Sequence, residues 1–314
     1  MAKYNLALGA FLGAAVGDAA GAPLEFFKDT IDSDAIDFAL SMSGGGRLRI
    51  GPGQITDDTE LALCLANTLV AAKSKYGMPI DNIKQSYWEW LQTNPFDVGV
   101  TCSRAFKDFN SIPDYESKSN GALMRATPIA IYAHSLPAEL IAGYARADAC
   151  ISHPNKTCQD ANAAYCVAIA HLINNVGDSE GALRAARSVL VQSKNEDVLH
   201  WFDTVTTNDC EFPYDCRNSI GFVKWGFTLA FYHLKNRTPY EDCLRHVLSH
   251  GGDTDTNACI AGGLMGALHG AMAIPKRLSQ PVLTYQWNED DRCGYDRPRY
   301  LSASCIPDLV ANML

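Results

Sequence analysis

Asp253-Thr254-Asp255-Thr256-Asn257-Ala258-Cys259-Ile260-Ala261-Gly262-Gly263-Leu264-Met265-Gly266-Ala267-Leu268-His269-Gly270 is the stretch on which the fold reading turns. Its small and apolar residues follow helical rather than alternating spacing, which predicts a helix over 255–272. Glycine inside a helix costs up to about 1 kcal/mol relative to alanine, so this many glycines need a reason. Close approach of a second helix supplies one. Gly9, Gly13 and Gly17 recur at every fourth position near the other end of the chain and leave a helix face bare of side chains. In a membrane such a face dimerises helices; in a soluble chain it admits a neighbour to backbone distance. The 255–272 helix is therefore expected beside 9–17 or another small-faced helix, which carries Asp253 and Asp255 to the middle of the molecule.

Helical periodicity dominates the rest of the chain. It predicts helices over 58–72 (apolar nearly all round, hence central), 81–91, 157–173, 181–191, 221–234 and 239–249. A further helix is expected over 120–132, kinked near Pro128. Gly17-Asp18-Ala19-Ala20-Gly21-Ala22-Pro23 reads as a glycine-punctuated turn that ends the first helix. Loops are expected at 41–55, 94–98, 111–117, 206–218 and 278–299. None has the length or polarity of a linker, and no repeat is visible. The expected architecture is all-α: a compact orthogonal helical bundle forming a single domain over 1–314.

Composition narrows the class. The chain has 314 residues, 47% of them apolar, enough for a sizeable core. Net charge is −9 and no Lys/Arg block stands out, so no nucleic-acid partner is expected. The eleven cysteines include no C-x-x-C pair; Cys64, Cys158, Cys166 and Cys259 fall in apolar helical stretches and read as buried thiols in a reducing compartment. The apolar run 6–16 is short for a bilayer span and weak as a leader, since Asp18 and Glu25 follow it and only Lys3 precedes it. No membrane partner is expected, and the localisation expected is cytoplasmic.

The chemistry concentrates in two segments. Gly51-Pro52-Gly53-Gln54-Ile55-Thr56-Asp57-Asp58-Thr59-Glu60 and His250-Gly251-Gly252-Asp253-Thr254-Asp255-Thr256 both place hard oxygen donors after glycines and before a helix. Adjacent acids, or acids two apart, do not share a helix face; they suit an N-cap and first turn. Either motif alone reads as plain capping. Together they read as one site: four carboxylates brought to about 4 Å repel by roughly 4 kcal/mol per pair at an effective dielectric of about 20. The sum exceeds the usual net stability of about 5–15 kcal/mol. Converging acids therefore need protons or cations, and crowded oxygen donors suit Mg²⁺ or Mn²⁺ rather than zinc.

On these residues, and on Gly17–Glu25, Ser119-Asn120-Gly121-Ala122-Leu123-Met124-Arg125 and Ser152-His153, the chain resembles the ADP-ribosylglycohydrolase family. The blocks run in family order from about residue 5 to about residue 275. The resemblance implies an all-α fold around a cluster of two Mg²⁺ or Mn²⁺ ions. It implies metal ligands at Thr56, Asp57 and Asp58 on one side and Asp253, Asp255 and Thr256 on the other. It implies a catalytic acid at Glu25, with Asp58 and Asp255 as the other carboxylates that assist proton transfer. It implies substrate contacts at Ser119, Asn120, Gly121, His153 and Gly252. The implied reaction removes ADP-ribose from an acceptor, an arginine- or serine-linked protein or a smaller ADP-ribose conjugate, by cleaving the glycosidic bond at the ribose anomeric carbon.

Each residue also has a plainer reading. Glu25 is a loop acid, Asn120-Gly121 a turn, and His153 a structural histidine held extended by Pro154. Arg125 reads as a packing or salt-bridge residue, and Asp18 as an acid that supports the site without entering it. Two rival functions are weighed. Asp57-Asp58-Thr59-Glu60 is similar to the acidic runs of all-α isoprenoid synthases, but Leu61 stands where a third acid is wanted. A non-catalytic ADP-ribose-binding or crystallin-like role on the same fold is the alternative. Acceptor choice is expected in rim loops 41–49, 96–103 and 206–216; Glu116-Ser117-Lys118 departs from the family's glycine-rich lead-in to Ser119.

Overall fold

A computed structural model describes residues 1–27, 30–72, 75–207, 211–288 and 293–314. Among the described residues the chain is helical, with no strand longer than the isolated bridges Gly45–Ile50 and Ser119–Phe222. The α-helices are α1 (Ala2–Gly21), α2 (Ser33–Leu40), α3 (Asp57–Ala71), α4 (Ile80–Gln92) and α5 (Val100–Phe106). They continue with α6 (Thr127–Tyr132), α7 (Ala138–Ser152), α8 (Lys156–Asn174), α9 (Ser179–Ser193) and α10 (Glu196–Thr207). The chain closes with α11 (Val223–Asn236), α12 (Tyr240–Ser249), α13 (Thr254–His269), α14 (Lys276–Thr284) and α15 (Ile306–Met313).

The glycine argument holds in space. A Cβ on Gly9 would strike the Gly266 carbonyl oxygen, one on Gly13 would come within 2.5 Å of the Gly262 carbonyl, and one on Gly17 would strike the Ala258 carbonyl. So α1 and α13 lie backbone against backbone at the centre. Their tight contact fixes where α13 begins, and α13 begins at the acids. This yields a stability prediction. In Gly266→Ala, the gain in helix propensity of up to about 1 kcal/mol is outweighed by overpacking against Gly9, typically about 1–3 kcal/mol. Gly143→Ala, on exposed helix surface with nothing within 4 Å of the added carbon, is expected to be neutral or stabilising. Urea denaturation of the two variants checks the contrast; equal midpoints would remove it.

Four expectations are corrected. The helix does not stop at Gly17: α1 runs through Asp18 to Gly21, and a 3-10 turn, Ala22–Leu24, follows. Gly21 continues the four-residue spacing and faces Asp255 and Thr254, so those glycines mark packing rather than a turn. Extended to Leu24, the segment has the length and composition of a membrane span, yet nearly all of it is buried inside the protein. The helix expected over 120–132 begins only at Thr127. Pro128 sits in its first turn, where the missing N–H costs nothing, and 120–126 is a chain of tight turns such as Leu123 N–H to the Asn120 carbonyl, 2.7 Å. The loop expected over 278–299 contains most of α14, which buries Leu278 and Val282 despite Pro281. Helices α2, α5, α7, α10 and α15 fall in segments the periodicity did not mark. Residues 208–210 of the expected 206–218 loop, and 289–292 of the 278–299 loop, lie outside the described residues.

Candidate functional site

Two helix N-termini meet at the site. Thr56 is the N-cap of α3, so Asp57 and Asp58 fill its first turn; Asp253 is the N-cap of α13, so Asp255 fills the first turn there. Neither side chain caps the backbone of its own helix. The Thr56 hydroxyl instead donates to Asp18, 2.9 Å, and the Asp18 carboxylate also accepts from the Thr56 N–H, the Thr59 N–H (3.1 Å) and the Thr59 hydroxyl (2.5 Å). Asp18, on the central helix, thus ties down the first turn of α3. Thr254 donates to the Gly21 carbonyl, 2.8 Å, and ties α13 to the end of α1.

These ties bring the acids together. The Thr256 and Thr56 hydroxyls lie 3.3 and 3.4 Å from Asp58 Oδ2. Asn120 Nδ2 donates to Asp253 Oδ2, 2.8 Å, and the Gly99 N–H donates to Asp57 Oδ2, 3.2 Å. Glu25 follows the 3-10 turn, and Phe26 after it takes a left-handed φ of 62°. Glu25, Asp97 and Asp255 each present a carboxylate oxygen, all within 4.8 Å of one another. A cleft of about 360 Å³ opens over this cluster, lined by Glu25, Asp57, Asp58, Asp97, Asp253, Asp255 and Thr256, and by Ser119, Asn120, Gly121 and His153 from the facing side.

Burial and mutual repulsion push the acids toward their protonated forms. Burial, then Asp97 and Asp253, raises Glu25 to about 9. Asp97 rises to about 6 through burial and Asp253. Asp57, Asp58 and Asp255 are held well above the carboxylate range by burial first, then by Asp97, Asp18 and Glu25 respectively. Buried Asp18 stands at about 6, desolvation outweighing its four hydrogen bonds. Asp58 Oδ1 and Glu25 Oε2 are buried with no hydrogen-bond partner. Orphaned oxygens at a junction of carboxylates are what a hard divalent cation satisfies, and the donors here are all oxygen.

Across the cleft, the Lys118–Asn120 loop is held by Val223 N–H to the Lys118 carbonyl and Asn120 N–H to the Gly221 carbonyl, both 2.9 Å. His153 ends α7 with an extended φ of −128°, as the following proline requires. Its Nε2 meets Ser119 Oγ and its Nδ1 meets Ser152 Oγ, each at 2.8 Å. Burial and the nearby Arg125 lower it to about 3, so the ring is neutral and works only as a hydrogen-bonding group. Arg125 is not at the cleft surface; it is fully buried in an ion pair with Asp148, 3.1 Å. Thr56 and Gly252 do not line the cleft: Thr56 lies beneath the acids, and Gly252, at φ 78°, sits against the Cys216 carbonyl.

Sequence reading passed over Asp97, Gly99 and Gly221. Asp97 sits in an irregular segment with no partner acid in sequence, and only the glycine-flanked turn Asp97-Val98-Gly99 hinted at it. Of the expected rim loops, 97–102 lines the cleft; Arg47 of 41–49 stacks over Phe26, 5.0 Å from the ring centre. A larger cavity of about 540 Å³ is lined in part by Glu60, and there Glu60 pairs with Arg297 at 2.8 Å.

A family model for ADP-ribosylglycohydrolases matches residues 1–300. The chain belongs to the ADP-ribosylglycohydrolase family. It is 33% identical over 278 residues to the ADP-ribosyl-[dinitrogen reductase] glycohydrolase of Rhodospirillum rubrum, covering 87% of this chain and 88% of that one. It is 28% identical over 295 residues to the ADP-ribosylarginine hydrolase Tri1 of Pseudomonas putida, covering 88% of this chain and 74% of the relative. A solved ADP-ribosylglycohydrolase-related protein complex superposes with a TM-score of 0.75 at 25% identity, covering 99% of this chain and 97% of that one. The all-α expectation stands, and with the family comes the reaction class: this ADP-ribosylglycohydrolase is a hydrolase of glycosidic bonds. The isoprenoid-synthase reading falls with that match.

Proposed function

We propose that this glycohydrolase removes ADP-ribose from the side-chain nitrogen of arginine in a modified protein, using two Mg²⁺ or Mn²⁺ ions. Thr56, Asp57 and Asp58 would hold them from the α3 side, and Asp253, Asp255 and Thr256 from the α13 side. The observation that carries the reading is the pair of orphaned oxygens, Asp58 Oδ1 and Glu25 Oε2, inside an all-oxygen cluster of buried acids. The Pseudomonas relative, by name an ADP-ribosylarginine hydrolase, favours arginine as the acceptor.

When bound, the ions supply oriented binding of ribose hydroxyls and a more acidic water. The chain's own residues do the rest. Asn120 and Gly121 face the acids across the cleft and bind the sugar there, and Asn120 is itself fixed by Asp253. Neutral His153 holds the Ser119 hydroxyl, which offers a hydrogen bond to the diphosphate or distal ribose. The N-termini of α3 and α13 add positive potential for an anionic substrate. An oxocarbenium-like state forms as the anomeric bond breaks, and the surrounding carboxylates stabilise its charge. Glu25, which lines the cleft beside Asp97 and Asp255, moves the proton between the water and the leaving nitrogen.

The test is hydrolysis of arginine- and serine-linked ADP-ribosyl peptides by EDTA-treated enzyme, with and without Mg²⁺ or Mn²⁺ added back. Turnover of the arginine peptide alone, restored by either ion, is the expected outcome. Tight ADP-ribose binding without turnover in saturating metal would support the binding-only role instead; preferential release from serine would overturn the acceptor.

A further inference from the structure

A second group of ligating side chains lies outside the cleft. His246 on α12 and His250 at its C-cap are four residues apart, so they share one helix face. Their Nε2 atoms are 3.3 Å apart. A tetrahedral zinc ion with Zn–N bonds of about 2.0–2.1 Å sets its ligand nitrogens about 3.3–3.4 Å from each other, so the pair already stands at that spacing. Both rings are half-buried.

One hydrogen-bond assignment of the surroundings gives the tautomer a metal needs. His246 Nδ1 is 3.0 Å from His233 Nε2, and His233 Nδ1 is 3.0 Å from the Thr238 hydroxyl. Read as a donor chain, His246 donates from Nδ1 to His233, and His233 donates to Thr238. That leaves the lone pair of His246 Nε2 pointing at His250. A ligating histidine characteristically has its other nitrogen held in this way. Tyr232 stacks on the His246 ring at 5.6 Å and Phe212 packs against His250 at 4.9 Å, which hold both planes. Burial lowers all three histidines, His250 to about 4, so each ring is neutral at neutral pH and keeps one nitrogen lone pair for a metal. Of the charges nearby, Asp215 and Arg217 pair with each other at 3.0 Å and largely cancel.

We propose that His246 and His250 bind a borderline divalent ion of the zinc class, with His233 orienting His246 and water completing the coordination. The ion occupies the position between the two Nε2 atoms; the single proton of neutral His250 shifts from Nε2 to Nδ1, which frees the Nε2 lone pair for the ion. The donor set is nitrogen, where the acidic cluster of the cleft is carboxylate oxygen, so the two centres differ in metal preference. Helix α12 leads through Gly251-Gly252 directly into Asp253, so an ion here also stiffens the approach to the acidic cluster.

Zinc titration of the EDTA-treated full chain, in saturating Mg²⁺ and against a chromophoric chelator, tests this. One Zn²⁺ equivalent should persist under Mg²⁺, weaken about tenfold or more in His246→Gln and in His250→Gln, and be unchanged in Asp255→Asn. Zinc affinity unchanged from the natural chain in both histidine variants, or zinc fully displaced by Mg²⁺, overturns the proposal. X-ray absorption of the zinc-loaded natural chain needs no variant to fold: imidazole scattering supports the site, and an oxygen-only shell overturns it.

Discussion

Glu25→Gln is expected to lower the turnover of an ADP-ribosylated arginine peptide by about 10²–10⁴-fold, the range for loss of a positioned acid or base, with little change in ADP-ribose affinity. Glutamine keeps the shape and loses the proton. The carboxyl stands at about 9 because it is buried beside Asp97 and Asp253. In the metal-free protein the same substitution removes a group whose charged form the fold disfavours, so it should not destabilise and should raise the melting temperature at alkaline pH. Single-turnover kinetics and a thermal melt on one preparation check both halves. Full turnover in Glu25→Gln would transfer the proton-handling role to an aspartate; a fall in melting temperature would contradict the electrostatic account of the cleft.

Removal of divalent cations is expected to abolish turnover and to change how stability depends on pH. The sign follows from linkage. Asp18, Asp97 and Glu25 have folded-state values above their unfolded ones, at about 6, 6 and 9. Over this window the folded chain binds more protons than the unfolded chain. Their contribution is therefore fully present below about pH 4 and is lost as pH rises through 6 and then toward 9. For fully buried Asp18 the rise to about 6 corresponds to about 3 kcal/mol at most. Cations at the acids substitute for the protons and flatten the slope. Melting temperatures from about pH 5 to about pH 9, bracketing these titrations, with EDTA and with Mn²⁺, read this directly. A steep fall with EDTA that Mn²⁺ removes is the expected result, and parallel curves would exclude cation binding at the acids.

Much of this was legible in the sequence, for identifiable reasons. Glycines at 9, 13, 17 and 262, 263, 266 could be read because a helix accepts that many only where another backbone presses on it. The acids at 57–58 and 253–255 could be read because hard donors at two capping positions repeat. Glu25 could be read as catalytic only through the family resemblance, and otherwise as a loop acid. Asp18 could be read only as a supporting acid; its four bonds to Thr56 and Thr59 join it to a helix distant in sequence. Asp97 could not be read, because nothing local distinguishes it from a loop acid. The tight turns of 120–126 were mistaken for helix because the period of a few apolar residues does not separate the two.

The sequence by itself determined the helical class, the small-faced contact at the centre and the two acidic helix starts, because spacing and residue type act locally. Only the tertiary structure decided that Glu25, Asp97 and Asp255 share a cleft, that Thr56 and Gly252 stand behind it, and that His246 and His250 face each other under His233. Those facts depend on the distance between segments far apart in the chain, which is set by how whole helices pack.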